Sequence, residues 1–418
     1  MKSTPVRARA RTDLRATPPL ASVKARPPIR ATVGQLVEVR LRNESVSSGV
    51  SLHWHGIDVP NAEDGVAGVT QDAVQVGGSH TYRFVVDTAG TYWYHSHQLS
   101  HAQVIGGLFG SLVVEPRGGV REDQDLLAVS HTYDGTRTLN GAEGMTRVAA
   151  DPGERVRVRV INTDNGTMQV WAAGRYRVVA IDGNALNRPT TVAGRHLSFP
   201  AGGRADLEVT VPRSGAARVQ VAAATAFVIG PETAATPARP PQPTKPLDLL
   251  TYGKRAPLPF DVRKPDRVFD YSIGRRLGFL DGRPGLWWSV NGHVYPDVPM
   301  FTVREGDVVK FHIENHSGQT HPMHLHGHHA VVISENSHMS IGSPLWVDSI
   351  DVRDGESVDL VFLADNPGIW MDHCHNLPHV SQGLMTCLLY TSDAADDLLC
   401  VDLGGRRIIK KKKRRTNT

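Results

Sequence analysis

The sequence predicts an all-β protein of three consecutive sandwich units, and three observations lead there. Glycine and proline are abundant, 40 and 27 of 418 residues, while aromatic residues make up only 6%. β-branched runs such as Val37-Glu38-Val39 and Val156-Arg157-Val158 recur between turn residues, as expected for many short strands and not for helical bundles. One segment also occurs three times: Gly34 to Asn43, Gly153 to Asn162 and Gly306 to Asn315 each start with a turn glycine, alternate apolar and polar residues, and end in Asn nine positions on. Period-two alternation implies one buried and one exposed face, the pattern of an antiparallel sandwich. The length suits roughly two to four domains.

The first unit spans residues 1–118. Its opening 25 or so residues show no clean alternation, although the repeat requires a strand ahead of Ile29. A second element recurs late in the units: Gly90-Thr-Tyr-Trp-Tyr-His95 parallels Gly368-Ile-Trp-Met-Asp-His373, and the middle unit has the same frame, Gly215 to Gln220, without the histidine. Turn residues at 115–119 close the first unit. The middle unit, 119–255, ends after the proline-rich stretch 234–246, which reads as a surface linker. The third covers 256–385 and is expected to be truncated, because a closing strand normally follows the position of Met385.

The formal charge of +4 does not indicate a nucleic-acid or anionic-membrane partner. Residues 386–418 hold eight basic and four acidic side chains, so this tail accounts for the whole excess. Residues 387–396 back-translate to the end of a transposase-type sequencing adapter, and 400–413 to its remainder running into poly-A. The tail is therefore expected to be non-native and is set apart from fold reasoning. Cys374 is then the one cysteine left, and no disulfide framework is implied. No stretch is apolar enough to span a bilayer, and residues 1–30 lack the apolar core of an export signal.

Four His-x-His pairs carry the chemistry: His53-Trp-His55, His95-Ser-His97, His324-Leu-His326 and His373-Cys-His375. Residues two apart in a strand share a face, so each pair can aim two imidazoles at neighbouring metals. Imidazole suits copper, zinc, iron or nickel, and the spacing leaves the metal open. Cys374 narrows it. With His379 after it and His321 far upstream, it offers a His2Cys set, the signature of a blue-copper electron-transfer site. Its chain neighbours His373 and His375 can ligate other coppers, which gives an electron a short covalent path to a cluster. His80, His101, His131, His196, His293, His312, His316, His328, His329 and His338 are read as structural or surface residues.

His53-Trp-His-Gly56, Tyr94-His-Ser-His97, His321-Pro-Met-His-Leu-His-Gly327 and His373-Cys-His-Asn-Leu-Pro-His379 resemble the four copper motifs of three-domain multicopper oxidases. That group includes laccases, bilirubin oxidase-like proteins and bacterial cuprous oxidases. The likeness covers about residues 29–385, with ten histidines and the cysteine in register. It implies three cupredoxin-like Greek-key β-sandwich domains and four copper ions. By the resemblance, type 1 copper binds His321, Cys374 and His379, and type 2 copper binds His53 and His324. The type 3 pair takes His55, His95, His97, His326, His373 and His375. The cluster then lies between the outer domains, and the middle domain needs no ligand. Asp64, nine residues after His55, matches the family acid that helps deliver protons to reduced oxygen.

Two positions depart from the family. Leu384 stands ten residues after the cysteine, where relatives often carry an axial Met, so a three-coordinate and more oxidising copper is expected; Met385 is one residue out of register. Val380 stands where several bacterial relatives have an acid. The implied activity is four one-electron oxidations of small substrates, phenols or aromatic amines, at type 1 copper, with transfer through Cys374 and reduction of dioxygen to water. A cuprous or ferrous oxidase in metal tolerance is the alternative, ranked lower because the eight methionines form no Met-rich segment. A non-catalytic cupredoxin-fold binding protein would have lost ligands, and none is missing. The implied partners are dioxygen and a small-molecule or metal-ion donor. The family implies an extracellular, periplasmic or cell-envelope location.

Overall fold

The computed structural model describes residues 9–16 and 27–391. Each copy of the repeat becomes the same strand: Leu36–Asn43, Arg155–Asn162 and Val308–Asn315. The preceding glycines sit in the left-handed region, Gly34 at φ 89°, Gly153 at 95° and Gly306 at 90°, where a Cβ would be strained. The alternation buries one face of each strand, as with Val37, Val39 and Leu41, or Val309, Phe311 and Ile313. Each strand ends in a buried asparagine whose side-chain amide donates to two loop carbonyls. Asn43 bonds Val46 and Val74 at 2.9 and 2.7 Å, and Asn162 bonds Gly166 and Pro200, both at 2.8 Å. Asn315 bonds Gln319 and Val352 at 2.6 and 2.8 Å. The repeated Asn thus pairs main-chain acceptors that burial would otherwise leave unsatisfied.

Strands up to Phe109–Glu115 form a three-stranded and a four-stranded sheet. Those from Gln124–Tyr133 to Thr225–Gly230 form six- and five-stranded sheets, and those from Arg267–Leu280 onward form eight- and five-stranded sheets. The sheets are mixed, not purely antiparallel as the alternation suggests. In every unit a first strand lies parallel beside the repeated one: Arg9–Ala16 on Leu36–Asn43, Gln124–Tyr133 on Arg155–Asn162, and Arg267–Leu280 on Val308–Asn315. Between the two strands the chain visits the opposite sheet, and a crossover of this kind is what parallel pairing requires. Arg9–Ala16 is the strand the repeat requires before Ile29. Main-chain pairing along its whole length holds it, so its weak side-chain alternation is no obstacle.

Met385–Tyr390 lies between Phe301–Val303 and Ile369–Cys374. The sheet edge expected to open after Met385 is therefore covered as far as Tyr390, with Cys387 and Leu388 fully buried. The apolar character of residues 386–390 suits them to this buried edge, whatever their origin. Cys387 is disulfide-bonded, which the cysteine count did not anticipate. Residues 392–418, with all of the basic tail's charge, lie outside the described residues.

Buried apolar side chains of the middle and third units merge into one cluster that also takes in Trp93 and Phe109, while most of the first unit's core forms a second. Where the first and third units meet, eight histidines and the carboxylates of Asp64 and Asp348 are buried. Among the described residues no helix is long and apolar enough to cross a membrane.

Candidate metal centres

Strand pairing turns the four His-x-His motifs into a cluster. Leu52–His55 pairs with Gly90–Ser96 so that His53 faces His95 in register. In the third unit His321–Leu325 pairs with Ile369–Cys374 so that His324 faces His373. The two sheets present these faces to each other, and His53 Nε2 comes within 3.3 Å of His324 Nε2 across the unit boundary. His326 and His373 meet Nε2 to Nε2 at 3.0 Å, and His95 and His375 at 3.4 Å. Ligand atoms of His97, His326 and His373 lie within 4.8 Å of one another, as do those of His53, His55 and His95.

Most nitrogens turned away from the cluster are bonded elsewhere, His375 Nδ1 being buried without a partner. His53 Nδ1 lies 2.9 Å from Asp64 Oδ1, and His326 Nδ1 lies 3.1 Å from Asp64 Oδ2. His324 Nδ1 bonds the Asp348 carbonyl at 2.8 Å, His373 Nδ1 the Cys374 carbonyl at 3.0 Å, and His95 Nδ1 the Ser96 carbonyl at 3.1 Å. A ring N–H held by a carboxylate or carbonyl fixes the tautomer and leaves the opposite nitrogen free for a metal. His55 is reversed: its Nε2 bonds Asp348 Oδ1 at 3.0 Å, and its Nδ1 is buried with no hydrogen-bond partner, like His97 Nε2. Buried polar atoms are seldom left unpaired, and both atoms belong to the histidine cluster. Burial, the largest cause, pushes His55 down to about 3 and His373 to about 4, and His95, His97, His324, His326 and His375 well below the ordinary value. The rings are therefore neutral, the form that binds metal. The donor set fits copper ions.

Cys374, His321 and His379 bring their ligand atoms together as a second group. Cys374 Sγ lies 3.5 Å from Nδ1 of each histidine, and the two Nδ1 atoms are 3.1 Å apart. Burial pushes the Cys374 thiol well up and lowers His321 to about 3 and His379 to about 4. Metal binding here must release the thiol proton. Leu384 is fully buried; its carbonyl accepts from Cys374 N–H at 3.2 Å and its N–H donates to the His379 carbonyl at 3.0 Å. Met385 pairs in register with His373, on the face opposite Cys374. With Met371 and His97 it lines a cavity of about 280 Å³, so it is turned away from the sulfur.

Several residues that sequence reasoning missed hold the cluster in place. Asp348, buried at the end of a loop, bonds His55 and receives both Arg204 nitrogens at 2.7 and 2.6 Å. Arg204, from the middle unit, also lies 3.4 Å from Asp182, whose carboxylate accepts the Asp348 and Ser349 amides. Against the upward pull of burial, Arg204 and the partner histidines hold Asp348 well below the usual carboxylate range. Gly202, at φ 80°, packs so closely on His55 and His375 that a Cβ would lie 2.7 Å from one ring and 3.1 Å from the other. The middle unit thus gives no ligand but presses on the cluster. His329, read as structural or surface, pairs with Asp58 at 3.1 Å and Asp348 at 3.4 Å. No motif marks these residues; only the spacing of Asp64 from His55 gave a usable signal.

Residues 24–119 and 265–394 match multicopper oxidase family profiles. Among curated relatives, Laccase-1 of Botryotinia fuckeliana is 27% identical, the match covering 86% of this chain and 75% of the relative. Multicopper oxidase MmcO of Mycobacterium tuberculosis is also 27% identical, over 87% of this chain and 81% of the relative. The crystal structure of a multi-copper oxidase from Pseudomonas thermotolerans superposes with a TM-score of 0.74 at 25% identity, covering 92% of this chain and 100% of the other.

Proposed function

The chain belongs to the multicopper oxidase family, and from that premise we propose that ten histidines and Cys374 hold four copper ions. One lies between His321, Cys374 and His379, one on His53 and His324, and a pair on His55, His95 and His375 and on His97, His326 and His373. The observation that carries this reading is the allocation of ring nitrogens. In five cluster histidines the outer nitrogen is bonded to a carboxylate or carbonyl, and in His55 the free Nδ1 is buried and unpaired. When bound, copper supplies the one-electron chemistry of donor oxidation and the reduction of dioxygen to water.

The chain's own residues orient, connect and protonate. Cys374 ends its strand between His373 and His375, so the thiolate of one site is one peptide bond along the chain from each of two histidines of the other. Asp64 accepts from Nδ1 of His53 and His326, the placement of a carboxylate that can relay protons beside the cluster. Asp348 and Arg204 fix His55 and His324 from the opposite side. Small phenols or aromatic amines are the donors, reaching the His379 edge of the cysteine site, and Leu384 would offer no donor atom to a copper held there. The protein works outside the cell or in its envelope.

Replacing Cys374 by serine tests the assignment. The variant should lose the blue absorption band and donor oxidation while keeping most of the cluster copper, because the cluster's ligands are imidazoles. Normal donor turnover by this variant would sink the electron-transfer role. Ferrous or cuprous ions oxidised far faster than any phenol would replace the donor class.

A further inference from the structure

Arg267–Leu280 and Arg283–Val290 form a long hairpin. Residues 267–273 also pair with Val308–Asn315, whereas residues 274–280 pair only within the hairpin. On this free half Arg275 stands opposite Trp288, Leu277 opposite Leu286, and Phe279 opposite Pro284. Positions two apart share a face, so the six side chains form one ladder. Its outer rungs are bare: Leu277, Phe279 and Leu286 are 79%, 68% and 55% exposed. A contiguous apolar strip of this kind marks a binding surface more often than a scattered leucine does.

The foot of the ladder reaches the cysteine site. Trp288 is buried against His321 and His379, ring centroids 4.8 and 4.5 Å apart, and its Nε1 donates to Gln382 at 3.0 Å. Over its ring lies Arg275, with Cζ 4.1 Å from the centroid. Among the described residues no carboxylate pairs with Arg275. The hairpin's other charges over residues 274–288 are Arg276 and Arg283 against Asp281, a net positive rim. A guanidinium held over an aromatic ring still has N–H donors to offer a carboxylate.

We propose that this ladder docks aromatic donors that carry a carboxylate, with the ring on Leu277 and Leu286 and the carboxylate on Arg275. The inference rests on the oxidase reading and names its substrate class. Each phenolic acid gives up one electron and its phenolic proton. Four such oxidations supply four electrons, which with four protons convert one dioxygen to two waters. Arg275 is a specificity residue and takes no part in the electron's path.

The copper-loaded full chain is compared with Arg275→Gln and Arg275→Lys, using 4-hydroxy-3-methoxycinnamate and its methyl ester at low ionic strength. In Arg275→Gln the acid-to-ester ratio of kcat/KM should fall by about fivefold, mainly through KM for the acid. Arg275→Lys should keep most of the ratio, and added salt should erode it in the parent. Equal losses for acid and ester, or an unchanged ratio, overturn the docking of the carboxylate. A parent that elutes as a dimer and a Leu277→Ser variant that elutes as a monomer assign the strip to a second copy and also overturn it. A copper-loaded parent that oxidises neither donor defeats the oxidase reading itself, and the inference with it.

Discussion

Asp64→Asn isolates what a single carboxylate does for the cluster. Asp64 is 1% exposed, and its two oxygens take the Nδ1 protons of His53 at 2.9 Å and His326 at 3.1 Å. Asparagine has the same shape but one acceptor. Its NH2 must face one of the two rings, where donor meets donor. That ring either rotates or shifts its proton to Nε2, and in both cases the metal-facing nitrogen is lost or displaced. Loss of such a supporting bond lowers metal affinity or activity by about 10–100-fold, or ~1.4–2.7 kcal/mol. The cysteine site touches none of these groups, so reduction of the blue chromophore by donor should change far less. Stopped-flow absorbance separates the two half-reactions: anaerobic bleaching by donor, then recovery on mixing with dioxygen. Recovery should slow by about 10–100-fold, with a weakened type 2 electron paramagnetic resonance signal. Recovery at the parent rate with a full type 2 signal would refute both the orienting and the proton-holding role.

Leu384→Met should lower the potential of the blue site while keeping its band, since a thioether stabilises oxidised copper; redox titration checks this, and an equal or higher potential means Leu384 is not axial. Arg204→Met takes away the guanidinium shared by buried Asp348 and Asp182, so it should cost about 3–5 kcal/mol. The loss is read from the denaturant midpoint of copper-free protein, and an unshifted midpoint refutes it. Burial opposes charge on His329, but Asp58 and Asp348 outweigh it and raise it to about 10. A raised histidine stabilises fully below its unfolded value and loses that stability as pH climbs through the folded one. The parent's melting temperature should therefore fall between pH 7 and about 10 more steeply than that of His329→Gln; parallel curves would show that His329 is not charged there.

Much of the site was legible because its logic is local to the chain. Strand periodicity puts His53 beside His55 and His373 beside His375 on one face, and those pairs stay on one face whatever the strands pack against. The three turn glycines and the three terminal asparagines likewise act within their own strand and loop. The pairing partners were less legible. Arg9–Ala16 is held by main-chain bonds, which leave little mark on side-chain order, and residues 386–390 are apolar enough to close a sheet even though they read as foreign.

The sequence by itself determined which histidines pair on one strand face and the kind of fold, since both follow from spacing and alternation along a single strand. The tertiary structure alone decided what surrounds the ligands. Asp348 of the third unit and the neighbouring Gly202 and Arg204 of the middle unit meet the histidines only because these units close on the first. Trp288 and Arg275 reach the cysteine site only because a hairpin folds over it. The physical reason is that charge compensation and close packing are properties of an enclosed space. Which carboxylate neutralises which cation, and where a side chain would not fit, depends on segments far apart in sequence being buried together.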